Sequence, residues 1–305
     1  MGVTDITIRE ARPDDYEGVA AFTRETWADR EGGDYIPEIY HEWIAGDGDR
    51  RRTFLADSGD DIAGICQGVL LSDHEAWAQG MRVNPDYRGE GLSTQLNDAL
   101  FGWARERGAT VVRNMVFSWN TAGLGGSRAV GFAPLCEFRW AHPEPDPDAT
   151  VPKPYTVAAN ADAAWSCWRR SDARSALSGL ALDADESWAM AELTREDLHR
   201  AADETRVFAV SREDDGTQAM AHRVRNHERE IDGETERWAE YGVGAWTDLG
   251  AARALFRAIS ADAATVGADR TRVLVPETPR HVSDAAAAHV AVGENPDFVL
   301  EAALV

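Results

Sequence analysis

The chain has 305 residues, of which 44% are hydrophobic, and its formal net charge is −22. This length suits two compact cores better than one, and the hydrophobic content, with eleven tryptophans, excludes a wholly disordered chain. Proteins that bind nucleic acids neutralise phosphates with clustered Lys and Arg, so no nucleic-acid partner is expected for this acidic chain.

The acidity comes with a near absence of lysine, since Lys153 is the only one. An acidic, lysine-poor surface is typical of a high-salt cytoplasm, where the Debye length falls to about 3 Å and repulsion is screened. We therefore expect a halophilic, cytoplasmic protein. No apolar run reaches about eighteen residues and no signal-peptide pattern is present, so no membrane partner is expected. Cys66, Cys136 and Cys167 are widely spaced and predict free thiols and no metal site.

In chain order, the first half predicts an α+β fold that begins with a strand at 6–11. Residues 12–15, Arg-Pro-Asp-Asp, signal the start of a helix that runs to about residue 27. Hydrophobic periodicity and turn residues predict the rest of this half: a helix at 38–44, strands at 52–56, 61–71 and 77–83, a helix at 93–108 and a buried strand at 110–117.

A proline-rich stretch then interrupts the periodic pattern. Residues 143–154 contain five of the twelve prolines and have neither helical nor strand spacing. Such a segment is semi-rigid and extended, which is typical of a linker. The sequence therefore predicts one domain at 1–142, a linker at 143–154 and a second domain at 155–305.

The second half repeats the order of elements in the first. Strands are expected at 206–211, 217–224, 238–246 and 272–275, with a helix at 247–266 before the last of them. One difference matters, because Trp246 runs directly into the helix and leaves no glycine-rich loop. We expect a degenerate copy that binds no second cofactor and that either lines the acceptor site or stabilises the first half.

The segment 83–94, Val-Asn-Pro-Asp-Tyr-Arg-Gly-Glu-Gly-Leu-Ser-Thr, combines the features that a diphosphate requires. Pro85 ends the preceding strand, and Gly89 and Gly91 allow positive φ and a close approach of the backbone to a ligand. The next residues open a helix, whose first N–H groups have no internal partner and carry the positive end of the dipole. Ser93 and Thr94 add hydroxyl groups. The sequence predicts an anion site made of backbone.

Residues 4–142 resemble the GNAT superfamily of acyl-CoA-dependent N-acetyltransferases. The run Arg88-Gly89-Glu90-Gly91-Leu92-Ser93 is similar to the family pattern Gln/Arg-x-x-Gly-x-Gly/Ala, with Ser in the last small position. Asn120, followed eleven and twelve residues later by Gly131-Phe132, matches a second family motif. The resemblance implies tandem GNAT-like folds, each a central mixed, mostly antiparallel sheet flanked by helices, and acetyl-CoA or a longer acyl-CoA as donor.

The resemblance also implies which residues hold the donor. Main-chain groups of Met81 and Val83 would bind the pantetheine arm, and Asn120 would bind the same arm or start the next helix. The pyrophosphate would lie on the N–H groups of Arg88, Gly89, Glu90, Gly91, Leu92, Ser93 and Thr94. Arg82 and Arg88 would add positive charge at short range, whereas Glu90 is unfavourable unless it points to solvent.

The catalytic groups depart from the family pattern. Its members often carry a Glu as base on the strand at 77–83 and a Tyr as acid seven residues after the Asn. Here those positions are Gln79 and Ser127, of which the first cannot accept a proton and the second is a shorter, poorer donor. Glu75 or His74, just upstream, are alternative bases, and a solvent relay is another. The candidate catalytic residues are Glu75 and Ser127.

Residues 33–43 have a narrower resemblance, to the Asp-Tyr-Leu-Pro-x-x-Tyr-His-x-Trp block of the vertebrate histidine N-acetyltransferases and their microbial relatives. It implies that Asp34 pairs with a substrate ammonium and that Tyr35, Tyr40 and Trp43 form an aromatic wall. Alternatively, Tyr40 and Trp43 simply pack a helix. Gln79, also a candidate substrate-binding residue, stands where that family has Glu, so histidine is not implied as acceptor.

The sequence thus predicts an acetyl-CoA-dependent N-acetyltransferase, a monomer or homodimer, that acts on a primary amine of a small molecule such as an amino acid. Two alternatives stay open at this point. One is a non-catalytic acyl-CoA-binding sensor or scaffold, and the other is an enzyme that acetylates protein N-termini or lysines.

Overall fold

The computed structural model describes residues 6–24, 26, 33–231 and 234–304. The chain divides into two compact units, the first formed by Met1–Val116, Asn120–Pro134 and Leu300–Val305, the second by Phe117–Trp119 and Leu135–Val299. These units group residues by packing, and the proline-rich segment lies within the second. The domains predicted from the sequence, with borders at 142 and 155, are instead continuous segments of the chain, and these borders stay a prediction.

Strands and helices follow one another in the order expected of an α+β protein. The strands are β1 (Thr7–Glu10), β2 (Arg51–Asp57), β3 (Ile62–Leu70), β4 (Glu75–Val83), β5 (Val111–Phe117), β6 (Ala133–His142), β7 (Tyr155–Ala158), β8 (Leu180–Leu182), β9 (Met190–Glu192), β10 (Arg206–Arg212), β11 (Gly216–Ile231), β12 (Glu234–Trp246), β13 (Arg270–Pro276), β14 (Ala291–Val292) and β15 (Asp297–Ala303). The α-helices are α1 (Tyr16–Thr23), α2 (Ile36–Gly46), α3 (Leu92–Glu106), α4 (Thr121–Ala129), α5 (Ala161–Arg170), α6 (Asp172–Ala176), α7 (Arg195–Glu204), α8 (Leu249–Thr265) and α9 (Pro279–Ala287).

The sheet of the first unit is antiparallel from β1 through β4 and then parallel between β4 and β5. β3 is its central strand, and all nine of its residues are buried because helices cover both faces. At the outer side of β5, the Leu304 N–H donates to the Thr110 carbonyl oxygen at 2.8 Å. The C-terminal residues 300–304 therefore belong to this unit.

The two faces of this sheet carry different helices. α3 lies so close to β3 that a methyl group on Gly68 would come within 2.9 Å of both Leu100 and Trp103. α1 and α2 cover the opposite face, where their apolar side chains form one core with those of β2 and β3. The buried members of that core are Val19, Phe22, Ile36, Tyr40, Trp43, Leu55, Ile62 and Ile65. The helix end predicted near residue 27 lies outside the described residues, and α1 ends at Thr23.

The second unit repeats this plan. β7, β10, β11 and β12 are antiparallel, β12 and β13 are parallel, and β6 pairs with β13 antiparallel. The long helix α8 connects the parallel pair, as α3 does in the first unit. Both units thus have the predicted α+β fold, with a mixed, mostly antiparallel sheet flanked by helices.

The start of α8 differs from the start of α3. Asp248 caps α8, and its Oδ1 accepts a hydrogen bond from the Ala251 N–H at 2.8 Å. The Tyr155 hydroxyl donates to the same carboxylate oxygen at 3.3 Å. A carboxylate therefore already occupies the position that an anion would take at a helix N-terminus. No helix in the described part of the chain combines the length and hydropathy needed to cross a membrane.

Candidate functional site

The loop between β4 and α3 is anchored at its start by Asn84. The Asn84 N–H donates to the Ala63 carbonyl oxygen at 2.9 Å, and its Nδ2 donates to the Ile62 carbonyl oxygen at 3.2 Å. Its Oδ1 accepts the N–H of Asp86 at 3.1 Å. Asn84 is buried, with 6% of its surface exposed, so the loop leaves the sheet from a rigid point.

Two glycines shape the middle of the loop. Gly89 has φ +86° and Gly91 has φ +75°, a conformation that costs little only for glycine. A methyl group placed on either one would meet no atom within 4 Å. The loop therefore has an open side, and a ligand that lay against the backbone there would fill space that a side chain would otherwise take.

The backbone donors of this loop are free. Within the described residues, the N–H groups of 89–93 have no hydrogen-bond partner. Gly91 is the N-cap residue of α3, and no side chain caps the helix there. α3 is 15 residues long, so the positive end of a full helix dipole lies at this point. Arg88 and Glu90 are exposed, as is Thr94, whereas Leu92 is buried and Ser93 is half-buried. This arrangement fits a pyrophosphate, which needs several donors and close backbone contact.

β4 separates from β5 just before this loop. The two strands pair only at Glu75–Trp77 and 111–113, whereas β4 stays paired with β3 as far as Val83. The register shifts opposite residues 65–67, and Gly80 has φ +64°, which marks a bulge in β4. The β5-facing edge of residues 78–83 therefore has no strand partner in the described sheet. The Met81 carbonyl oxygen does accept a hydrogen bond from Arg82 Nη1 at 3.1 Å.

Arg82 and Asp34 form a buried ion pair. The distance from Arg82 Nε to Asp34 Oδ2 is 2.6 Å, and 9% and 0% of the two side chains are exposed. The Arg82 guanidinium also lies 5.4 Å from the centroid of the Tyr35 ring. Among the sequence-predicted site residues, the structure therefore brings Asp34, Tyr35 and Arg82 together. The charges of Asp34 and Arg82 neutralise each other.

The aromatic residues of the segment 33–43 have different environments. Tyr40 is fully buried, and its hydroxyl donates to the Arg12 carbonyl oxygen at 2.6 Å; burial raises its pKa. Trp43 is 8% exposed and packs over Gly80, where an added methyl group would lie 2.3 Å from the indole. Tyr35 is 41% exposed and meets Trp43 edge-on. Tyr40 and Trp43 thus pack α2 against the sheet, and Tyr35 is the member that faces solvent.

Glu75 lies at the beginning of β4, where β4 and β5 are still paired. Its carboxylate accepts hydrogen bonds from Arg113 Nη1 and from the Ser72 hydroxyl, and 2% of the residue is exposed. Gln79 lies four positions further along β4, which corresponds to about 13 Å along a strand. The structure therefore does not bring Glu75 together with the loop or with Gln79.

Ser127 lies on α4, and its neighbour was not predicted. Asn114, on the part of β5 that has separated from β4, donates from Nδ2 to the Ser127 hydroxyl oxygen at 3.0 Å. The Ser127 hydroxyl hydrogen, in turn, has no acceptor in the described part of the chain. Asn120 begins α4, where its Oδ1 accepts the Gly123 N–H at 2.9 Å. Of the two roles expected for Asn120, the geometry shows the helix start, and its Nδ2 makes no hydrogen bond to a described residue.

Gln79 ends a row of polar groups that the sequence did not reveal. Its Nε2 donates to Gln67 Oε1 at 2.8 Å, and Gln67 Nε2 donates to the Thr53 hydroxyl at 3.0 Å. The Thr53 hydroxyl lies 3.1 Å from Asp47 Oδ1. Thr53 and Gln67 are buried, at 0% and 1% exposure. The signal that would have found them is polar residues at the inward positions of two buried strands.

The geometry of the first unit agrees with the comparison to protein families. Residues 10–132 match the acetyltransferase (GNAT) family. The matched segment gives the chain an enzyme class, that of the acyl-CoA-dependent N-acyltransferases, and the GNAT family generally uses acetyl-CoA as the donor. No curated protein matches the sequence.

Solved structures match almost the whole length of the chain. A GCN5-related N-acetyltransferase from Sphaerobacter thermophilus is 16% identical, with a TM-score of 0.63 and coverage of 98% of this chain and 96% of the other. A glucosamine N-acetyltransferase region in a fungal multi-domain enzyme is 12% identical, with a TM-score of 0.62 and coverage of 99% and 38%. A Thermoplasma acidophilum protein assigned to the acetyltransferases is 15% identical, with a TM-score of 0.57 and coverage of 97% and 99%.

At these identities the matches show the fold, and the chain has tandem GNAT folds as predicted. None of them points to the histidine N-acetyltransferases that residues 33–43 resemble, and that finer assignment stays a prediction.

Proposed function

We propose that this protein transfers an acetyl group from acetyl-CoA to a primary amine of a small molecule, with amino acids among the candidate acceptors. One observation carries the proposal: five successive backbone N–H groups, at 89–93, are free at the start of α3, next to the open edge of β4. A nucleotide pyrophosphate needs the first feature, and an extended amide-containing arm needs the second.

The donor site does not depend on the charge of the whole molecule. A net charge of −22 repels an anion at long range, but salt screens charges separated by more than about 10 Å at 0.1 M. The N–H groups of the loop act within hydrogen-bond distance. Arg88 is exposed at the same place and adds a positive charge, whereas Arg82 is already paired with Asp34.

Ser127 is suited to interact with the leaving thiolate. Asn114 donates to its hydroxyl oxygen, so the hydroxyl hydrogen is available to a further acceptor. Ser127 begins the last turn of α4, the helix that Asn120 starts. We assign Ser127 the role of hydrogen-bond donor to the sulfur, with the proton itself supplied from water.

The acceptor ammonium loses its proton to water in this proposal. Gln79 has no proton-accepting group, and the Glu75 carboxylate is bound by Arg113 and Ser72 at the far end of β4. We place the acceptor amine beside Gln79, because the Asp34 carboxylate is fully buried and neutralised by Arg82. Tyr35 is the exposed aromatic residue near that pair and supplies an apolar contact.

A panel of amines tests this function. Purified protein at high salt is mixed with acetyl-CoA and with amines, amino acids or peptides, and the release of free thiol is measured. Release with small amines, but not with peptides, is the expected result. Release with peptides alone would point instead to a protein N-acetyltransferase.

Gly91→Trp tests the donor site by itself. The indole would fill the open side of the loop, so the rise in melting temperature that acetyl-CoA causes in the parent protein should disappear. Gly59→Trp is the matched control, because Gly59 also has positive φ, at +87°, and open space around its Cβ position, but lies in the turn between β2 and β3. If the rise survived in the Gly91 variant, the phosphate site would be misplaced.

A non-catalytic acyl-CoA sensor is the second candidate, and Gln79 and Ser127 favour it because neither is a strong base or acid. It predicts the same rise in melting temperature with acetyl-CoA, but no thiol release with any amine. The monomeric or dimeric state, the halophilic habitat and the cytoplasmic location stay predictions.

A further inference from the structure

Asn114 on β5 and Ser127 on α4 meet within the first unit. Asn114 Nδ2 donates to the Ser127 hydroxyl oxygen at 3.0 Å, across 13 positions of the chain. Both residues are half-buried, but the Oδ1 atom of Asn114 is fully buried and accepts no hydrogen bond from the described part of the chain. A buried acceptor without a partner lowers stability. The bond to Ser127, and not the amide oxygen, therefore orients this amide.

The direction of this hydrogen bond determines what the hydroxyl can do. A serine hydroxyl has one hydrogen and two lone pairs, and one lone pair of Ser127 receives the Asn114 N–H. The hydrogen of Ser127 consequently points away from Asn114, and it has no acceptor among the described residues. Ser127 is thus held as a donor toward whatever lies on its other side.

The same hydrogen bond strengthens Ser127 as a donor. A hydroxyl oxygen that accepts a hydrogen bond is polarised by it, and its own hydrogen then donates more strongly. An aliphatic hydroxyl is otherwise a poor donor to a developing negative charge. The amide of Asn114 gives this assistance without a net charge, so it does not repel an anion.

The face of α4 that carries Ser127 also carries a second free donor. Gly123 lies one turn before Ser127 on the same face of α4 and has no side chain. Asn120 covers this glycine, since a methyl group on Gly123 would lie 2.6 Å from Asn120 Nδ2. The Asn120 Nδ2 and the Ser127 hydroxyl, both without an acceptor in the described part of the chain, therefore follow one another along one side of α4. An extended acyl donor can meet both.

We propose that Asn114 is a positioning residue that holds Ser127 as a hydrogen-bond donor to the sulfur that leaves during acetyl transfer. The inference rests on the proposed function, which places that sulfur beside Ser127. As the amine attacks, the carbon–sulfur bond of acetyl-CoA breaks and its electron pair stays on sulfur. Ser127 donates a hydrogen bond to this thiolate and keeps its proton. Water takes the proton of the amine and supplies the proton of the free thiol.

Asn114→Asp keeps the size of the side chain and reverses the hydrogen bond. An ionised carboxylate only accepts, so Ser127 should donate to it and turn its hydrogen away from the sulfur. We expect kcat to fall roughly tenfold to a hundredfold, as for the loss of one hydrogen bond to a charged group. The rise in melting temperature that acetyl-CoA causes should persist.

The pH dependence of this variant separates orientation from a structural defect. Once protonated, the introduced carboxyl group can donate to the Ser127 oxygen as the amide does. The kcat of Asn114→Asp, relative to that of the parent protein, should therefore recover as the pH falls. A ratio that stays constant across pH would contradict the inference.

Ser127→Ala shows whether the effect passes through the hydroxyl. In that background, Asn114→Asp should lower kcat by less than about twofold. An equal loss in both backgrounds would mean direct repulsion between the new carboxylate and the thiolate, and would overturn the inference. Asn226→Asp adds the same charge at an exposed position of β11 and should leave kcat unchanged. Asn114→Ala adds no charge, so it should lower kcat without recovery at low pH.

The thiol of bound CoA gives a measurement without turnover. The pKa of this thiol is read from the ultraviolet absorbance of its thiolate, as the difference between protein with and without CoA. A hydrogen bond from Ser127 stabilises the thiolate, so the pKa should be lower in the parent protein than in Asn114→Ala or Ser127→Ala. Equal pKa values in the parent and Asn114→Ala, with amine acetylation present, would show that Asn114 does not orient Ser127. The expected pKa difference without acetylation of any amine would support the inference and contradict the proposed function.

Discussion

Arg82 and Arg88 are six residues apart, yet their surroundings give the two guanidinium groups different tasks. Arg82 is buried against Asp34, whereas Arg88 is exposed in the loop between β4 and α3. The sequence assigned both to the donor because both flank the same motif. Asp34 and Arg82 are 48 positions apart, so their ion pair depends on how α2 packs over β4. A local sequence pattern carries no information about that packing.

Removing one member of the buried pair should therefore lower the free energy of unfolding more than removing the exposed arginine does. Arg82→Met leaves the buried Asp34 carboxylate without its ion-pair partner, and we expect a loss of about 3–5 kcal/mol in the free energy of unfolding. Arg88→Met should change that free energy by less than about 0.5 kcal/mol, and should instead weaken acetyl-CoA binding. Denaturant titration and calorimetry measure the two effects. Equal stability of the two variants would contradict the assignment.

At the scale of elements, α3 packs tightly against β3 at one glycine and leaves another glycine in open space. Gly68 lies on the strand under Leu100 and Trp103, and Gly102 lies in α3 with no atom within 4 Å of its Cβ position. Both are glycines of regular structure with negative φ, but one faces a tight contact and the other does not.

A pair of alanine substitutions separates these two environments. Gly68→Ala adds a methyl group 2.9 Å from its neighbours, and overpacking of this kind should cost about 1–3 kcal/mol of stability. Gly102→Ala should instead stabilise the protein by up to about 1 kcal/mol, because alanine is the better helix former. Thermal unfolding of both variants gives the comparison. A stable Gly68 variant would mean that α3 can move away from the sheet.

Elements with strong local signals were predictable from the sequence, and those set by distant contacts were not. The loop glycines and the start of α3 depend on backbone conformation, which Gly89 and Gly91 encode locally. β4 begins at Glu75, two residues earlier than predicted, because pairing with β5 extends it. Three helices between 161 and 204 were missed, although Asn160, Ser171 and Thr194 cap them with ordinary N-terminal signals.

The hydrogen bonds that join Gln79 to β3 and β2 show the limit of pattern reasoning most clearly. Thr53, Gln67 and Gln79 become neighbours only through the register of three strands, and a shift of one residue would separate them. The sequence identified Gln79 because the family resemblance marked its position. A polar residue on a buried strand marks Thr53 and Gln67 individually, but it does not show that the two side chains meet.

At the scale of the whole molecule, the net charge of −22 should make stability depend on salt. Carboxylates repel one another over about 10 Å at 0.1 M salt but only about 3 Å at 1 M. We expect the melting temperature to rise from about 0.1 M to about 2 M KCl. An uncharged osmolyte at matched water activity controls for effects other than screening. A melting temperature that stays constant or falls in KCl would remove the basis for the halophilic prediction.

Residues 300–304 belong to the first unit, although they follow the residues of the second unit in the chain. Leu304 bonds to Thr110 and to Arg105 Nε, and Glu301 pairs with Arg113 at 2.7 Å, all within the first unit. These residues follow their partners by nearly two hundred positions in the chain, so the ribosome adds them much later. The loop before α3 and α3 itself are therefore synthesised long before the residues of β15 that complete their unit. Until residues 300–304 have been made, the first unit is incomplete.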